Sequence, residues 1–284
     1  MNLPVRTIPV KQILPDGNEN NDNTIITTKY LQIQQQGVGP GKTGLAVWNS
    51  SLLLGRLLEA LAWHNPTWLR LGHNNAADSN SNSNGNNQRQ QRVAELGAGT
   101  GLVSIIANKL GAKSVWTTDG NPAAVALAQQ NFRRNYIEFT TTVTENSDNS
   151  NSNVVTVLPW GELQVPMEWM GQADIVLGSD LTYNSGSWRV LAETMEGLLS
   201  NKDGIVIYLT LGHSGFNARG EMDGFINVAK QLGLKTVTSS YELPFALPRG
   251  INSLDGLLQS LIQPSEQSIL AATGGAEVVV LKRK

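Results

Sequence analysis

The chain has 284 residues, 40% of them hydrophobic, which is enough to bury the core of one large α/β domain. Its 21 basic and 23 acidic residues give a net charge of -2, so no overall field attracts nucleic acid or an anionic membrane. There is no cysteine, which excludes disulfides, thiolate nucleophiles and cysteine-ligated zinc, and with only three histidines a metal centre is not expected.

The N-terminal 45 residues are expected to form an extension with short strands. Pro4, Arg6, Pro9 and Lys11 interrupt the apolar residues at its start, so it lacks the apolar core of a signal peptide. Residues 24–36 are rich in β-branched side chains and alternate locally, which predicts strands, with a hairpin as one arrangement. No segment reaches the roughly 18 apolar residues of a membrane span. We therefore expect a soluble protein of the cytoplasm or nucleus.

A regular alternation of strand and helix patterns fills residues 46–284, the predicted main domain. Leucines at helical spacing predict its first helix over residues 47–63. Strands are predicted over 92–96, 114–118, 154–158, 173–178, 204–211, 235–240 and 277–282, and further helices after the glycines at 97–101, after Asn121-Pro122, and over 188–199, 225–232 and 253–262. This alternation predicts an α/β fold with a doubly wound, mostly parallel, Rossmann-like sheet of seven strands whose last strand is antiparallel.

Two low-complexity segments, near residues 73–91 and 144–153, interrupt this alternation. They consist largely of asparagine, serine and glutamine or acidic residues, which cannot bury enough apolar surface to offset the entropy lost on ordering. We expect both to be disordered surface insertions between elements of the domain.

The most informative motif is Val-Ala-Glu95-Leu-Gly97-Ala-Gly99-Thr-Gly101. Glycines between a predicted strand and a predicted helix allow a tight turn and close approach of a ligand, so the motif predicts a cofactor site. The dinucleotide fingerprint G-x-G-x-x-G requires its third glycine where this chain has Leu102. The pattern resembles instead the first motif of class I S-adenosylmethionine-dependent methyltransferases. Taken alone, it is also compatible with a turn that binds no ligand.

Further candidate residues follow the predicted strands, at the carboxyl ends where open parallel sheets bind ligands. Asp119 ends the second strand, about 20 residues after the glycines, where an acid reaches ribose hydroxyls. Trp160 follows the third strand and can cover an adenine face. Asp180 and Tyr183 follow the fourth and suit a methyl-accepting amine. Ordinary packing of the tryptophan and loop positions for the acids are the alternatives.

Taken together, these motifs resemble methyltransferase family 16, seven-β-strand enzymes that methylate protein lysines. The resemblance extends from Gly37 to Lys284 apart from the insertions. It rests on the tract Thr43-Gly-Leu-Ala-Val-Trp48-Asn-Ser-Ser-Leu, the glycine motif with Asp119, Trp160-Gly161, and Asp180-Leu-Thr-Tyr183. It implies S-adenosylmethionine as cofactor and a protein lysine as methyl acceptor. The implied cofactor-binding residues are Trp48, Glu95, Gly97, Ala98, Gly99, Asp119, Trp160 and Ser179, and the implied catalytic residues are Asp180 and Tyr183.

The resemblance also implies a protein substrate such as a translation factor or chaperone. We expect no nucleic-acid or membrane partner, no metal, and a monomer. Choice of the acceptor is expected to depend on loops near 211–219 and on the 244–275 stretch, which departs from the family pattern together with the two insertions.

Rival interpretations remain open. Residues 36–43 nearly match the phosphate-binding loop G-x-x-x-x-G-K-[ST], with Lys42 for phosphates and Thr43 for magnesium, but Gln36 occupies the place of the first glycine. A NAD-dependent oxidoreductase of Rossmann type would use Asp119 but lacks the glycine at position 102. A methyltransferase for a small molecule or another protein residue, and a partner-binding domain without catalysis, are further alternatives.

Overall fold

The computed structural model describes residues 5–15, 24–36, 43–65, 68–69, 91–112, 114–142, 152–161, 164–201, 203–212 and 217–284. The strands in these ranges are β1 (Val5–Pro15), β2 (Thr24–Gln34), β3 (Arg92–Leu96), β4 (Ser114–Asp119), β5 (Val154–Val157), β6 (Ile175–Ser179), β7 (Ile205–Leu211), β8 (Leu234–Thr236) and β9 (Ala276–Arg283). The α-helices are α1 (Asn49–His64), α2 (Leu102–Lys109), α3 (Pro122–Arg134), α4 (Trp188–Leu198), α5 (Ala218–Gln231), α6 (Leu254–Leu261) and α7 (Pro264–Thr273).

The main sheet has seven strands in the order β5-β4-β3-β6-β7-β9-β8. The first five strands in this order pair in parallel, whereas β9 is antiparallel to both β7 and β8. The predicted fold, a mostly parallel sheet with an antiparallel last strand, is confirmed. The strand order reverses at β3, which has β4 on one side and β6 on the other. A ligand of such a sheet is expected beyond the carboxyl ends of these three strands.

Helices cover both faces of the sheet, which explains the continuous apolar runs of its central strands. All seven residues of β7 are buried. One apolar cluster joins α1, α2, α3 and α6 to one face, and a second joins α4 and α5 to the other. Successive strand residues enter opposite clusters, as Ile207 and Tyr208 do. Leu54, Leu57 and Leu58 of α1 are completely buried, each contributing about 1.5–3 kcal/mol of transfer free energy.

The N-terminal strands form an antiparallel hairpin in which Val5 pairs with Gln34 and Pro15 with Thr24. The predicted strands over 24–36 are therefore confirmed and correspond to β2. The sequence did not indicate β1, because its prolines disfavour a strand. Pro9 is tolerated since β1 pairs with only one neighbour in this two-stranded sheet, where a missing N–H costs little.

Asn131 of α3 and Asn135, the residue after its last turn, bind the main chain of β2. Asn131 Oδ1 accepts from Gln34 N at 2.7 Å and its Nδ2 donates to Gln34 O at 3.0 Å, while Asn135 makes the same pair of bonds with Gln32 at 3.0 Å. Four helical residues rise about 6 Å, close to the span of two strand residues, so the amides match the strand repeat. Asn131 Nδ2 also donates to Thr100 O at 2.9 Å. The hairpin is thereby linked to the loop that carries the glycine motif.

The structure corrects several predicted boundaries. Helix α5 begins at Ala218 rather than 225, because the side chain of Asn217 accepts from Gly220 N and caps an earlier turn. The 244–275 stretch contains not only the predicted helix but also α7, which begins with Pro264 and a capping box formed by Gln263 and Glu266. Strand β8 has three residues instead of the predicted six.

Some predictions fall on residues outside the described ranges. These are most of the two insertions, over 70–90 and 143–151, and residues 37–42 of the phosphate-loop pattern. The last residue of the second predicted insertion, however, belongs to the fold: Asn153 Oδ1 accepts from Val115 N at 3.1 Å. No helix within the described ranges is long and apolar enough to cross a membrane.

Candidate active site

The loop from Gly97 to Gly101, called the glycine loop, connects β3 to α2. Its three glycines have φ values of 59°, 54° and 77°, in the left-handed region that L side chains rarely adopt. Ala98 N donates to Thr118 O at 2.9 Å and ties the loop to the end of β4. The alternate glycines are therefore required by the backbone itself, and the turn brings the first residues of α2 to the carboxyl edge of the sheet.

Glu95 is directed from β3 towards α2. It is 2% exposed, and its Oε2 accepts from Ser104 N at 2.7 Å and from Ser104 Oγ at 2.5 Å. Ser104 lies in the first turn of α2, so the carboxyl caps this helix from the neighbouring strand. Burial raises the pKa of Glu95 to about 8, against the opposing effect of the bonds from Ser104. Its predicted contact with the cofactor stays a prediction, since these bonds are to the helix.

Asp119 ends β4 beside the glycine loop. Its Oδ2 accepts from Gly99 N at 2.9 Å and its Oδ1 from Asn121 N at 2.8 Å. Burial raises the pKa of Asp119, while the two N–H bonds oppose that rise. A carboxylate has about four lone-pair sites, so two accepted bonds leave capacity for a ligand diol.

The tract that begins at Thr43 packs against Asp119 and the glycine loop. Gly44 lies in a 3-10 turn, Thr43–Leu45. A β-carbon on Gly44 would lie 3.6 Å from Asp119 Oδ2, and one on Gly99 would lie 2.9 Å from Gly44 O. The structure thus brings the tract against the glycine loop and Asp119. Close packing against Gly44 O explains why position 99 has no β-carbon, and the predicted contact of Gly99 with the cofactor stays a prediction.

The remaining predicted cofactor residues lie at nearby element ends. Trp48 immediately precedes α1 and is 42% exposed. Trp160 follows β5 and is half-buried, and the adjoining Gly161 N donates to Thr194 Oγ1 at 2.7 Å. Ser179 is the last residue of β6 and is half-buried. All three are partly accessible, as residues that contact a ligand must be.

Residues 180–183, called the 180–183 loop, follow β6. Asp180 has a φ of 56°, an uncommon value for a residue with a side chain. Its N–H donates to Leu209 O at 3.0 Å, and its Oδ1 accepts from Leu211 N at 2.8 Å, so both groups are bound to β7. Tyr183 is 59% exposed. The loop places an anchored carboxylate and an accessible phenol at the carboxyl edge.

The glycine loop and the 180–183 loop touch each other. A β-carbon on Gly97 would lie 2.4 Å from Leu181 Cδ2. The predicted cofactor residues of β3 and the predicted catalytic residues after β6 are therefore neighbours in space.

Sequence reasoning missed three buried residues that hold the 180–183 loop. The hydroxyl of Tyr208 on β7 accepts from Leu181 N at 2.9 Å and from Thr182 N at 3.0 Å. Thr182 Oγ1 donates to Glu221 Oε1, and Thr210 Oγ1 donates to the same oxygen at 2.9 Å. Burial raises the pKa of Tyr208. A sequence pattern could have indicated one of them, because Glu221 falls among the apolar residues Ala218, Met222 and Phe225 on the buried side of α5.

The groups at this edge fit S-adenosylmethionine. Asp119 offers acceptor oxygens for a ribose diol, and Trp160 offers a partly exposed aromatic face for an adenine. Groups of three or more potential metal ligands do not occur among the described residues.

The order and direction of the strands identify the class of protein. An open sheet in which the last strand of the chain enters antiparallel between the fifth and sixth of the seven, with a glycine loop after the first, is the fold of class I, seven-β-strand methyltransferases. A family model described as "Lysine methyltransferase" matches residues 26–221, more than half of the chain. The chain belongs to this lysine methyltransferase family. The family recognised from the motifs is thus confirmed, and the match agrees with the predicted cofactor.

Similar proteins carry related names. "Protein N-lysine methyltransferase METTL21A" of Danio rerio is 38% identical over 120 residues, 41% of this chain and 48% of that protein. "Protein-lysine N-methyltransferase EFM3" of Chaetomium thermophilum is 24% identical over 256 residues, 83% of this chain and 66% of that protein. "EEF1A lysine methyltransferase 3" of Xenopus tropicalis is 31% identical over 119 residues, 41% of this chain and 46% of that protein. The matched stretches thus span less than two thirds of each relative.

Among solved structures, the ribosomal protein L11 methylase of Lactobacillus delbrueckii subsp. bulgaricus aligns with a TM-score of 0.40 at 18% identity, over 68% of this chain and 70% of that one.

Proposed function

We propose that the protein is an S-adenosylmethionine-dependent protein-lysine N-methyltransferase. The observation that carries the proposal is the contact of Gly97 with Leu181, since it joins the cofactor motif to the 180–183 loop. Membership of the lysine methyltransferase family supports the same activity.

The roles follow from the position of each group. When bound, S-adenosylmethionine supplies a methyl group on a sulfonium. Asp119 would accept hydrogen bonds from the ribose of the cofactor. The rings of Trp48 and Trp160 would flank the cofactor. Ala98 in the glycine loop would contribute main-chain groups, and Ser179 at the end of β6 would contribute its hydroxyl.

The acceptor lysine must present a neutral amine. Its ordinary pKa is about 10.4, so loss of the proton has to be favoured by desolvation in the site. Asp180 would accept a hydrogen bond from the amine and align it, because Leu211 N fixes the orientation of its carboxylate. The accessible ring of Tyr183 would line the lysine entrance. Neither residue has to act as a general base.

The finer statements belong to the same proposal. A translation factor is the favoured substrate class, since the name of the Xenopus relative says that it acts on EEF1A. A chaperone as substrate, a monomeric state and a cytoplasmic location stay predictions. A small molecule or another protein residue as acceptor is the alternative.

The test is to incubate the protein with labelled S-adenosylmethionine and a cell extract, and to identify each labelled band and its modified residue by mass spectrometry. We expect label on lysine of a protein. Label confined to small molecules, or tight ATP or NAD binding without S-adenosylmethionine binding by calorimetry, would overturn the proposal.

A further inference from the structure

The 180–183 loop has a conformation that its own sequence does not favour. Asp180 is in the left-handed region, and such a backbone persists only where the surrounding structure fixes it. The bonds from Asp180 to β7 fix one end of the loop. The next two residues are fixed by a separate set of side chains.

The number of donors and acceptors at each hydroxyl determines which group donates and which accepts in this set of side chains. Tyr208 Oη accepts the N–H groups of Leu181 and Thr182, which occupies both acceptor sites of a hydroxyl. Its own proton must then be donated, and Thr182 Oγ1 lies 2.8 Å away. Thr182 in turn donates its proton to Glu221 Oε1. The chain of donors ends at a buried carboxyl oxygen.

Glu221 also accepts a hydrogen bond from a second threonine, Thr210 of β7. Thr210 Oγ1 lies 2.9 Å from Glu221 Oε1 and 3.4 Å from Asp180 Oδ1. The hydroxyl has a single proton, and the shorter distance assigns it to Glu221. Glu221 therefore sets the orientation of both threonine hydroxyls next to the loop.

The burial of Glu221 makes a passive role costly. The residue is 3% exposed, and a buried acid is destabilising unless hydrogen bonds compensate it. Two hydroxyl donors converge on one of its oxygens: Thr182 belongs to the 180–183 loop itself, and Thr210 belongs to β7, to which that loop is hydrogen-bonded. An apolar residue on the stripe of α5 would pack there without this cost.

We propose that Glu221 is a positioning residue for methyl transfer, which holds the 180–183 loop in its strained conformation through Thr182 and Tyr208. The inference rests on the proposed function and deepens it. Glu221 acts through Asp180 and Tyr183 and does not touch the acceptor or the cofactor itself.

Three variants test the positioning role. Glu221→Met removes the acceptor at similar size, Glu221→Gln retains an acceptor oxygen, and Tyr208→Phe removes one hydroxyl. With the acceptor protein found in the extract experiment, we expect kcat to fall at least about tenfold in the first and third, while the KM for S-adenosylmethionine stays within about twofold. Glu221→Gln should restore most of the lost kcat. Combining Tyr208→Phe with Glu221→Met should add little, because both break one chain.

Amide exchange gives a readout that needs no substrate. Exchange of Leu181 N–H and Thr182 N–H should be at least about tenfold faster in Tyr208→Phe and in Glu221→Met than in the natural chain. Thr117→Val is the matched control, because the buried Thr117 hydroxyl on β4 has no hydrogen-bond partner among the described residues. It should leave exchange and kcat unchanged.

The outcomes separate the two proposals. Unchanged exchange, or faster exchange with unchanged kcat, would overturn the positioning role and leave the proposed function standing. Faster exchange and lower kcat in a protein that methylates something other than lysine would overturn the proposed function and support the positioning role.

Discussion

Gly97 packs directly against Leu181, so closely that a β-carbon on the glycine would lie 2.4 Å from Leu181 Cδ2. The two residues belong to loops that follow different strands, β3 and β6. The contact is made by a side-chain methyl of the buried Leu181, so added volume at position 97 has to be accommodated by the 180–183 loop.

Gly97→Ala tests this contact. The left-handed φ of 59° costs about 1–2 kcal/mol for alanine, and the overlap with Leu181 adds about 1–3 kcal/mol. We expect the free energy of unfolding to fall by the sum of the backbone cost and the overlap cost. Denaturant titration measures this change. Gly250→Ala is the matched control, since Gly250 also has a positive φ, but a β-carbon there would meet nothing within 4 Å in the part of the chain that the structure describes. Equal losses in the two variants would contradict the contact.

Asp180→Asn isolates the charge of the predicted catalytic carboxylate. Asparagine tolerates the left-handed backbone better than alanine, and its oxygen can still accept from Leu211 N. We expect kcat to fall about 100-fold, as for loss of a transition-state contact, with little change in Tm. Asp180→Ala should abolish transfer, with some added backbone strain. Normal turnover in both variants would remove Asp180 from the reaction.

Asp119→Ala should weaken binding of S-adenosylhomocysteine at least about tenfold, since it removes the acceptor for the ribose diol. Titration calorimetry measures the change. Asp174→Ala is the control: Asp174 also accepts a main-chain N–H, from Arg92 at 2.9 Å, but lies at the opposite end of the strands. A dissociation constant unaltered by Asp119→Ala would exclude it from the cofactor site.

Glu95→Gln should change how stability depends on pH. The folded pKa of about 8 lies above the ordinary 4.5, so folding takes up a proton between these values and stability falls as pH rises through them. Glutamine mimics the protonated acid and keeps an acceptor for Ser104. We expect the variant to gain stability relative to the natural chain between about pH 5.5 and about pH 8.5. The exposed Glu168→Gln should show no such gain. A pH-independent difference would contradict the raised pKa of Glu95.

What the sequence could predict was local. The glycines at 97, 99 and 101 are required by backbone angles within one turn, and the strand that precedes them is short and buried from Val93 to Leu96. Asp119 was found because a strand end fixes where its side chain emerges. The cap on Ser104 by Glu95, the amides of Asn131, and the bonds of Glu221 join residues 9 to 97 positions apart. Such pairs depend on how the helices pack against the sheet, and a short sequence pattern does not predict that packing.

Motifs named the candidate site residues, whose roles stay predictions, but they did not indicate the residues that support them. Asp180 and Tyr183 were found from a motif, whereas Tyr208 looks like one more apolar residue in β7. Its hydroxyl has a role only because the 180–183 loop folds back over that strand.

The hairpin has a consequence for how the molecule unfolds. Ile8, Val10, Leu31 and Ile33 belong to the same apolar cluster as α1 and α2, and Asn131 binds both the hairpin and the glycine loop. The hairpin therefore shares one apolar core with the helices of the main sheet. The hairpin and the glycine loop should unfold in a single cooperative transition. Removal of the hairpin should therefore weaken cofactor binding at the glycine loop, although the two are far apart in sequence.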